Sequence, residues 1–405
     1  MRLLKIECKK IITHPFLWIV WVTFVLFQLF QIYGYVGNSF MQQDLQNMYT
    51  AVLDAGVAPE EAARNAGKEV TAAEKESHEY NEKSEIARQG TYGESEYREA
   101  YEDYRSTYGG MYDNLDMMKI LEKKQEMYNY HPKGNMQQFL EDNYRKLQFR
   151  VEAIRSTEEN GYGFYPGNQY KIHSILYGHI WKSLILEGAV LMMLSVLFLM
   201  DYERINKTRD IVIATVAGKE CMRYKILAGV LCGLFYVLCL LIVTMGCVFY
   251  FLPFQKLWEV PVASCMVAEA RDQMMYPFIT FFRMTEQQYL FFSMIVLIGI
   301  MLLVAGLAAS LQYLLQNSYF TFAGMCILFM GLYIFAYEKT ETLLDVIKAL
   351  MNPAVLYITS GGWFMENSLE LSFAGNEFIS LAVCGGVVLL LLVLGRRRYR
   401  HQDIL

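Results

Sequence analysis

The sequence has no paired-cysteine motif, no phosphate-binding loop and only 8 prolines in 405 residues. Its 8 cysteines are Cys8, Cys221, Cys232, Cys239, Cys247, Cys265, Cys326 and Cys384, with none in residues 38–178 and no CxxC pair. That usage excludes a disulfide framework or a zinc ribbon and leaves the thiols as small apolar side chains. The absence of GxxxxGK[ST] excludes ATP hydrolysis by that route. His14, His78, His131, His173, His179 and His401 show no HExxH or paired-His spacing, and His173 and His179 read as two solvated side chains. No Ser or Cys nucleophile stands in a recognisable setting, so the chain reads as a non-enzyme with no cofactor of its own. A net charge of -5 and an isoelectric point near 5.8 offer no basic face, which argues against nucleic acid as a partner.

What the chain has in abundance is apolar length. Hydrophobic residues make up 54%, the mean hydropathy is +0.21, and there are 29 Tyr and 25 Phe, more than soluble domains of this size carry. Residues 16–35 form an uncharged run of the length needed to cross roughly 30 Å of hydrocarbon at about 1.5 Å per residue. This core is too long for a secretory signal and reads as an uncleaved anchor. Further runs at 183–200, 226–252, 289–315, 320–337 and 378–394 predict six spans in all. The fourth carries Gly299, Ala305, Gly306, Ala308, Ala309 and Ser310, small residues that permit close helix contact. Ahead of the first span, Leu3, Leu4, Ile6, Ile11 and Ile12 alternate with Arg2, Lys5, Lys9 and Lys10, as in an interfacial helix on the lipid bilayer.

Lys and Arg collect on one side of this layout. Arg2, Lys5, Lys9, Lys10, the bases of residues 201–225, and Arg396, Arg397, Arg398 and Arg400 all fall on the face that holds both termini. The bias predicts that both termini are cytoplasmic, with six spans in the plasma membrane. Residues 1–37 then form the interfacial helix and first span, residues 38–178 an extracytoplasmic helical domain, and residues 179–405 the other five spans.

Residues 38–178 are polar and free of long apolar runs. Tyr97, Tyr101, Tyr104, Tyr108 and Tyr112 recur at helical spacing, followed by Leu115, Met118 and Leu121; residues 59–88 and 136–155 also read as helix. The tyrosine stripe fits a helix seam better than a ligand platform, and GYGFYPG at 161–167 reads as a turn. Residues 343–351 carry an apolar face too short to cross, as expected of a surface or re-entrant helix. Glu187, inside the second span, is a candidate for a translocation path because a carboxylate near the bilayer centre costs a few kcal/mol; an interfacial or water-lined position is the alternative.

The charged island at residues 201–225 separates two apolar runs, and Ile205, Ile211, Val212, Ile213 and Val216 sit among its charges at roughly helical spacing. A span ending in an acidic pair with Glu203, then Thr208, the aliphatic run Ile211 to Ile213, the small-residue break Ala217 and Gly218, and the closing bases Arg223 and Lys225 resembles the ABC-2 type permeases. These are the membrane subunits of ATP-binding-cassette exporters. The step at Asn352 and Pro353 before the last span fits the same family.

The resemblance implies an all-α polytopic fold, an ATP-binding partner subunit that supplies the nucleotide site, and a second permease, either a copy or a homologue. It also implies a lipophilic, peptide or antibiotic-like cargo. Coupling to the ATPase is expected at Glu203, Thr208, Arg209, Ile211, Val212, Ile213, Lys219 and Arg223. An alternative of another class is a membrane-anchored surface or secretion-associated protein whose helical domain binds a partner.

Overall fold

The computed structural model describes residues 2–37, 112–160 apart from 158, 169–208, 211–212, 218–252, 257–266, 278–366 apart from 339, 371, and 373–401. The described chain is all-α, with two isolated antiparallel bridges, Pro261 with Thr285 and Thr280 with Met365. The long helices are α1 (Arg2–Ile12), α2 (Pro15–Ile32), α3 (Met117–Met127), α4 (Met136–Arg155), α5 (Trp181–Ile205), α6 (Gly218–Phe251), α7 (Glu286–Leu315), α8 (Ser318–Phe335), α9 (Leu343–Leu350), α10 (Pro353–Ile358) and α11 (Asn376–His401). Of these, α2, α5, α6, α7, α8 and α11 are long and apolar enough to cross a membrane. The fold is that of a multi-pass membrane protein with six spans.

Local chemistry explains where these helices begin. Pro15 occupies the first turn of α2, where its missing N–H costs nothing, and the His14 ring accepts from Phe16 N. Thr285 and Gln288 close a reciprocal capping box on α7. Gln316 turns left-handed at φ 53° and Asn317 caps Tyr319 N and Phe320 N, so Gln316 and Asn317 alone join α7 to α8 as a tight antiparallel hairpin. Thr342 with Asp345 caps α9, and Asn352 caps α10 with Pro353 at its first position.

The helix α5 is the hub. Within its apolar window 67% of residues are buried, against 17% for α2, 22% for α11 and 11% for α8, which form the rim. Close approach depends on small residues: a Cβ at Gly229 of α6 would stand 2.9 Å from Val196 Cα of α5. On α7, Gly299 faces Leu381 and Gly306 faces Val388, a seven-residue step on both helices that makes a parallel seam with α11.

Both ends of the chain's helical path lie at one face, here called basal: α1 is bonded to the end of α5 through Lys10 and Glu203, and Tyr399 of α11 packs on Tyr313 of α7. At the opposite, distal face, α3 and α4 form a hairpin whose core takes in Ala263, Ile279, Val346 and Leu371. The distal unit is therefore assembled from three stretches of chain and packs directly onto the span ends. Asn352 Nδ2 donates to Leu332 O of α8 and Ser380 Oγ of α11 donates to Leu350 O, which holds α9 and α10, bent by 74°, across the distal ends of α8 and α11. Because α8 ends and α11 starts on that face, the bent pair is not a seventh span.

Helix α4 covers the 136–155 range read from the sequence. Residues 59–88, the turn at 161–167 and Tyr97, Tyr101, Tyr104 and Tyr108 lie outside the described residues. Tyr112 is buried, its hydroxyl 3.1 Å from the carbonyl oxygens of Ala263 and Phe278. The second span starts earlier than its apolar run suggests: a helix at Gln169–His173 and a π-helical stretch at Ser174–Ile180 lead directly into α5.

Candidate functional site

The basal site is built where α1, α5, α6 and α8 meet. Glu203, in the last turn of α5, receives Lys225 of α6 on one carboxylate oxygen and Lys10 of α1 on the other at 3.2 Å. Lys10 also lies 2.7 Å from Glu7 and stacks over the Tyr202 ring. Two residues earlier, Asp201 holds Arg204 at 2.7 Å and accepts from Ser318 N at the start of α8. Lys225 is 4% exposed and Glu203 8%, so these are buried pairs whose charges depend on one another. Four helices are fastened through two carboxylates a half-turn apart.

The sequence-predicted coupling residues divide around this clamp. Residues 201–205 and 218–225 are ends of α5 and α6, so the connection between spans is only 206–217, shorter than the 201–225 island. Glu203 is inside the clamp, and Val212 lines a recess beside it with Arg204, Gln312, Tyr313 and Tyr399. Thr208 is exposed and its N–H reaches Glu203 O at 2.8 Å, closing the α5 terminus after Lys207 turns to φ 56°. Ile211 is 70% exposed and Arg223 also faces outward. Lys219 falls in the first turn of α6, while Arg209 and Ile213 lie outside the described residues. Lys10 and Lys225 complete the site. The sequence marks Lys10 only as a member of a basic cluster and Lys225 only as a closing base of the charged island, since nothing in it pairs residues this far apart.

Glu187 lies in the seam between α2 and α5 and is 4% exposed. Gln28 Nε2 donates to Glu187 Oε2 at 2.7 Å and lies 3.0 Å from Ser183 Oγ; Ser183 Oγ is in turn 2.7 Å from Gln31 Oε1. Two glutamines three residues apart in an otherwise apolar span were the available signal for this cluster, because that spacing puts both on one helix face.

A third buried group corrects the reading of the histidines. His173 is not solvated: it is 2% exposed, with Nδ1 2.7 Å from Glu286 Oε1 at the start of α7. Its ring packs against Tyr177 and Tyr289. His179 is exposed, as expected, and stacks on Tyr35 at 4.6 Å. The two histidines thus take separate partners. Beside Glu286, burial pushes the Cys265 thiol well above its ordinary value, and the carboxylate adds to the effect by repelling a thiolate.

Among the described residues no group of three or more His, Cys, Asp or Glu side chains is placed to hold a metal ion. Compared as a whole, the chain matches no family model, no curated protein and no solved structure, so its functional reading rests on its own sequence and geometry.

Proposed function

We propose that this chain is the membrane-spanning subunit of an ATP-driven exporter of the ABC-2 kind, with its basal face in the cytoplasm and its spans in the plasma membrane. The observation that carries the reading is the clamp of Lys10, Glu203 and Lys225, which ties an interfacial helix to the basal ends of α5 and α6. A push on α1 or on the 206–217 connection is delivered straight to α5, the most buried span. Packed helices respond to such a push by shifting between discrete arrangements rather than by yielding gradually. Exposed Ile211 offers an apolar contact for a soluble ATP-binding subunit, with Thr208, Arg209, Val212, Ile213, Lys219 and Arg223 around it.

The energy source is a separate protein, since no GxxxxGK[ST] loop occurs in this sequence. ATP-driven closure of that partner shifts the chain between inward- and outward-open states, moving a lipophilic, peptide or antibiotic-like cargo. The rim helices α2 and α8 are mostly uncovered and suit contact with lipid and with a second permease.

Affinity purification of the tagged full chain from membranes tests this directly. The expected result is a co-purifying nucleotide-hydrolysing subunit whose activity rises with cargo and loses that response with Arg209→Glu, Arg223→Glu. A chain that brings down no such subunit overturns the reading.

A further inference from the structure

The α2–α5 seam carries polar side chains one helical turn apart on both of its sides. Gln28, Gln31 and Tyr35 stand on the first-span side, and Glu187, Ser183 and His179 on the other. Side chains three or four residues apart share a helix face, so these six form one stripe. Hydrogen bonds link its inner part: Gln28 to Glu187, Gln28 to Ser183, and Ser183 to Gln31. At its outer end Tyr35 Oη lies 3.3 Å from His179 Nδ1.

Solvent access rises along the same line. Gln28 is 1% exposed and Glu187 4%, Ser183 and Gln31 are half-buried, and Tyr35 reaches 39% beside an exposed His179. The stripe opens toward the distal face and closes on a carboxylate.

The closed end is chemically incomplete. Glu187 Oε1 and Gln28 Oε1 are both buried without a hydrogen-bond partner. An ionised carboxylate and an amide oxygen only accept, so neither can answer the other. A proton on Glu187 turns an acceptor into a donor and removes a net charge from the apolar interior. The groups facing Glu187 do not supply a cation instead: α2 offers Gln28, while Val237 of α6 and Met301 of α7 fill the adjoining space at Gly188. Lys182 lies five residues earlier on α5, a spacing that puts it on a different face of that helix.

We propose that Glu187 is a proton-binding site, loaded and emptied from the distal side along the stripe of Ser183, Gln31, His179 and Tyr35. The proton comes from bulk water at the distal mouth, converts the carboxylate to the acid, and returns by the same route. This goes beyond the export reading and needs no partner subunit.

The test uses the full chain reconstituted in sealed phospholipid vesicles whose orientation is fixed by tag accessibility. A hydrophobic carbodiimide reacts with protonated carboxyls in the apolar phase, and peptide mass spectrometry reads its adduct on Glu187. The expected labelling falls about tenfold per pH unit above the titration point, because the protonated fraction does. It follows the pH of the compartment at the distal face and ignores the basal one. Glu187→Gln removes the adduct and also removes a carboxylic C=O band from the infrared difference spectrum between acid and alkaline pH.

Ser183→Val with Gln31→Leu, which closes the stripe without touching Glu187, slows the response to a distal pH jump at least tenfold. The proposal is overturned by labelling that follows the basal compartment or ignores pH. It is equally overturned by an unchanged response rate in the folded double variant, or by the absence of both adduct and infrared band at low pH.

Discussion

The two ends of the span bundle bury carboxylates in opposite ways. At the basal face Glu203 and Asp201 meet fixed cations: Lys10, Lys225 and Arg204. At the distal ends of the spans Glu286 meets the imidazole of His173, and Glu377 accepts from Phe364 N at 2.6 Å. Among the described residues, Lys and Arg return as partners beyond the span ends, in the distal unit, where Lys124 pairs with Glu366 and Arg150 with Glu159. The contrast teaches that the basic bias of one face is more than a surface label for topology. Lys10 and Lys225, counted in that bias, are also the residues that neutralise buried acids at the base of α5. Charge placement and packing are therefore one constraint at the basal face and two separate ones at the distal face.

The strongest way to break this comparison is Lys225→Met, which strips Glu203 of its most buried cation. Removing one partner of a buried pair costs about 3 to 5 kcal/mol, visible as a lowered midpoint of thermal unfolding in detergent. Adding Glu203→Leu should recover most of the loss, whereas equal stability of the single variant and the parent would show that Lys10 alone suffices. At the distal end His173→Leu should cost less, about 1 to 3 kcal/mol, the cost of leaving one buried hydrogen-bonding group without its partner rather than of stripping a carboxylate of a Lys cation. Glu286→Gln in that background should restore stability; a loss as large as that of Lys225→Met would erase the proposed difference between the faces.

Gly229→Ala probes the geometry beneath the basal pair, one turn further along α6 from Lys225. The new Cβ meets backbone at Val196, and overpacking of this kind costs about 1 to 2 kcal/mol while pushing Lys225 away from Glu203. Cysteine cross-linking yield between α5 and α6 should fall with it. The smallest effect belongs to Lys133 in the distal unit, whose pKa is raised by its hydrogen bond to Glu341 and by that carboxylate's charge. A raised lysine favours the folded state below its ordinary value and loses that contribution as pH climbs through the folded one. Lys133→Ala should thus lower stability slightly at neutral pH, by no more than a surface ion pair contributes, and the difference from the parent should vanish as pH climbs through the folded pKa, flattening the alkaline limb of the stability profile.

Much of this architecture was legible along the chain. The six apolar runs became six helices, with ends extended where caps allowed: α7 begins at Glu286 because Thr285 and Gln288 close a capping box, three residues before its apolar run starts at Tyr289. Read closely, the T-x-x-Q and T-x-x-D spacings ahead of α7 and α9 would have placed both starts. The hairpin of α7 and α8 was visible in the short polar step at Gln316 and Asn317, and the close-packing role of Gly299 and Gly306 in their small size. Glu187 stood out as an acid in an apolar run, while Gln28 and Gln31 passed unmarked because hydropathy registers charge far more strongly than amides.

What hydropathy and spacing determined, then, is the number of spans, their order and the crowding of Lys and Arg at one end, all properties that a helix expresses through residues within one or two turns. Which acid meets which base was decided only in three dimensions. Glu203 lies 193 residues from Lys10 in sequence yet shares a hydrogen bond with it, and His173 and Glu286 are 113 apart. The distal core likewise draws Val346 and Leu371 beside Leu140 and Tyr144. Such pairings depend on how α5 is surrounded by its neighbours, and no local pattern of side chains encodes that arrangement.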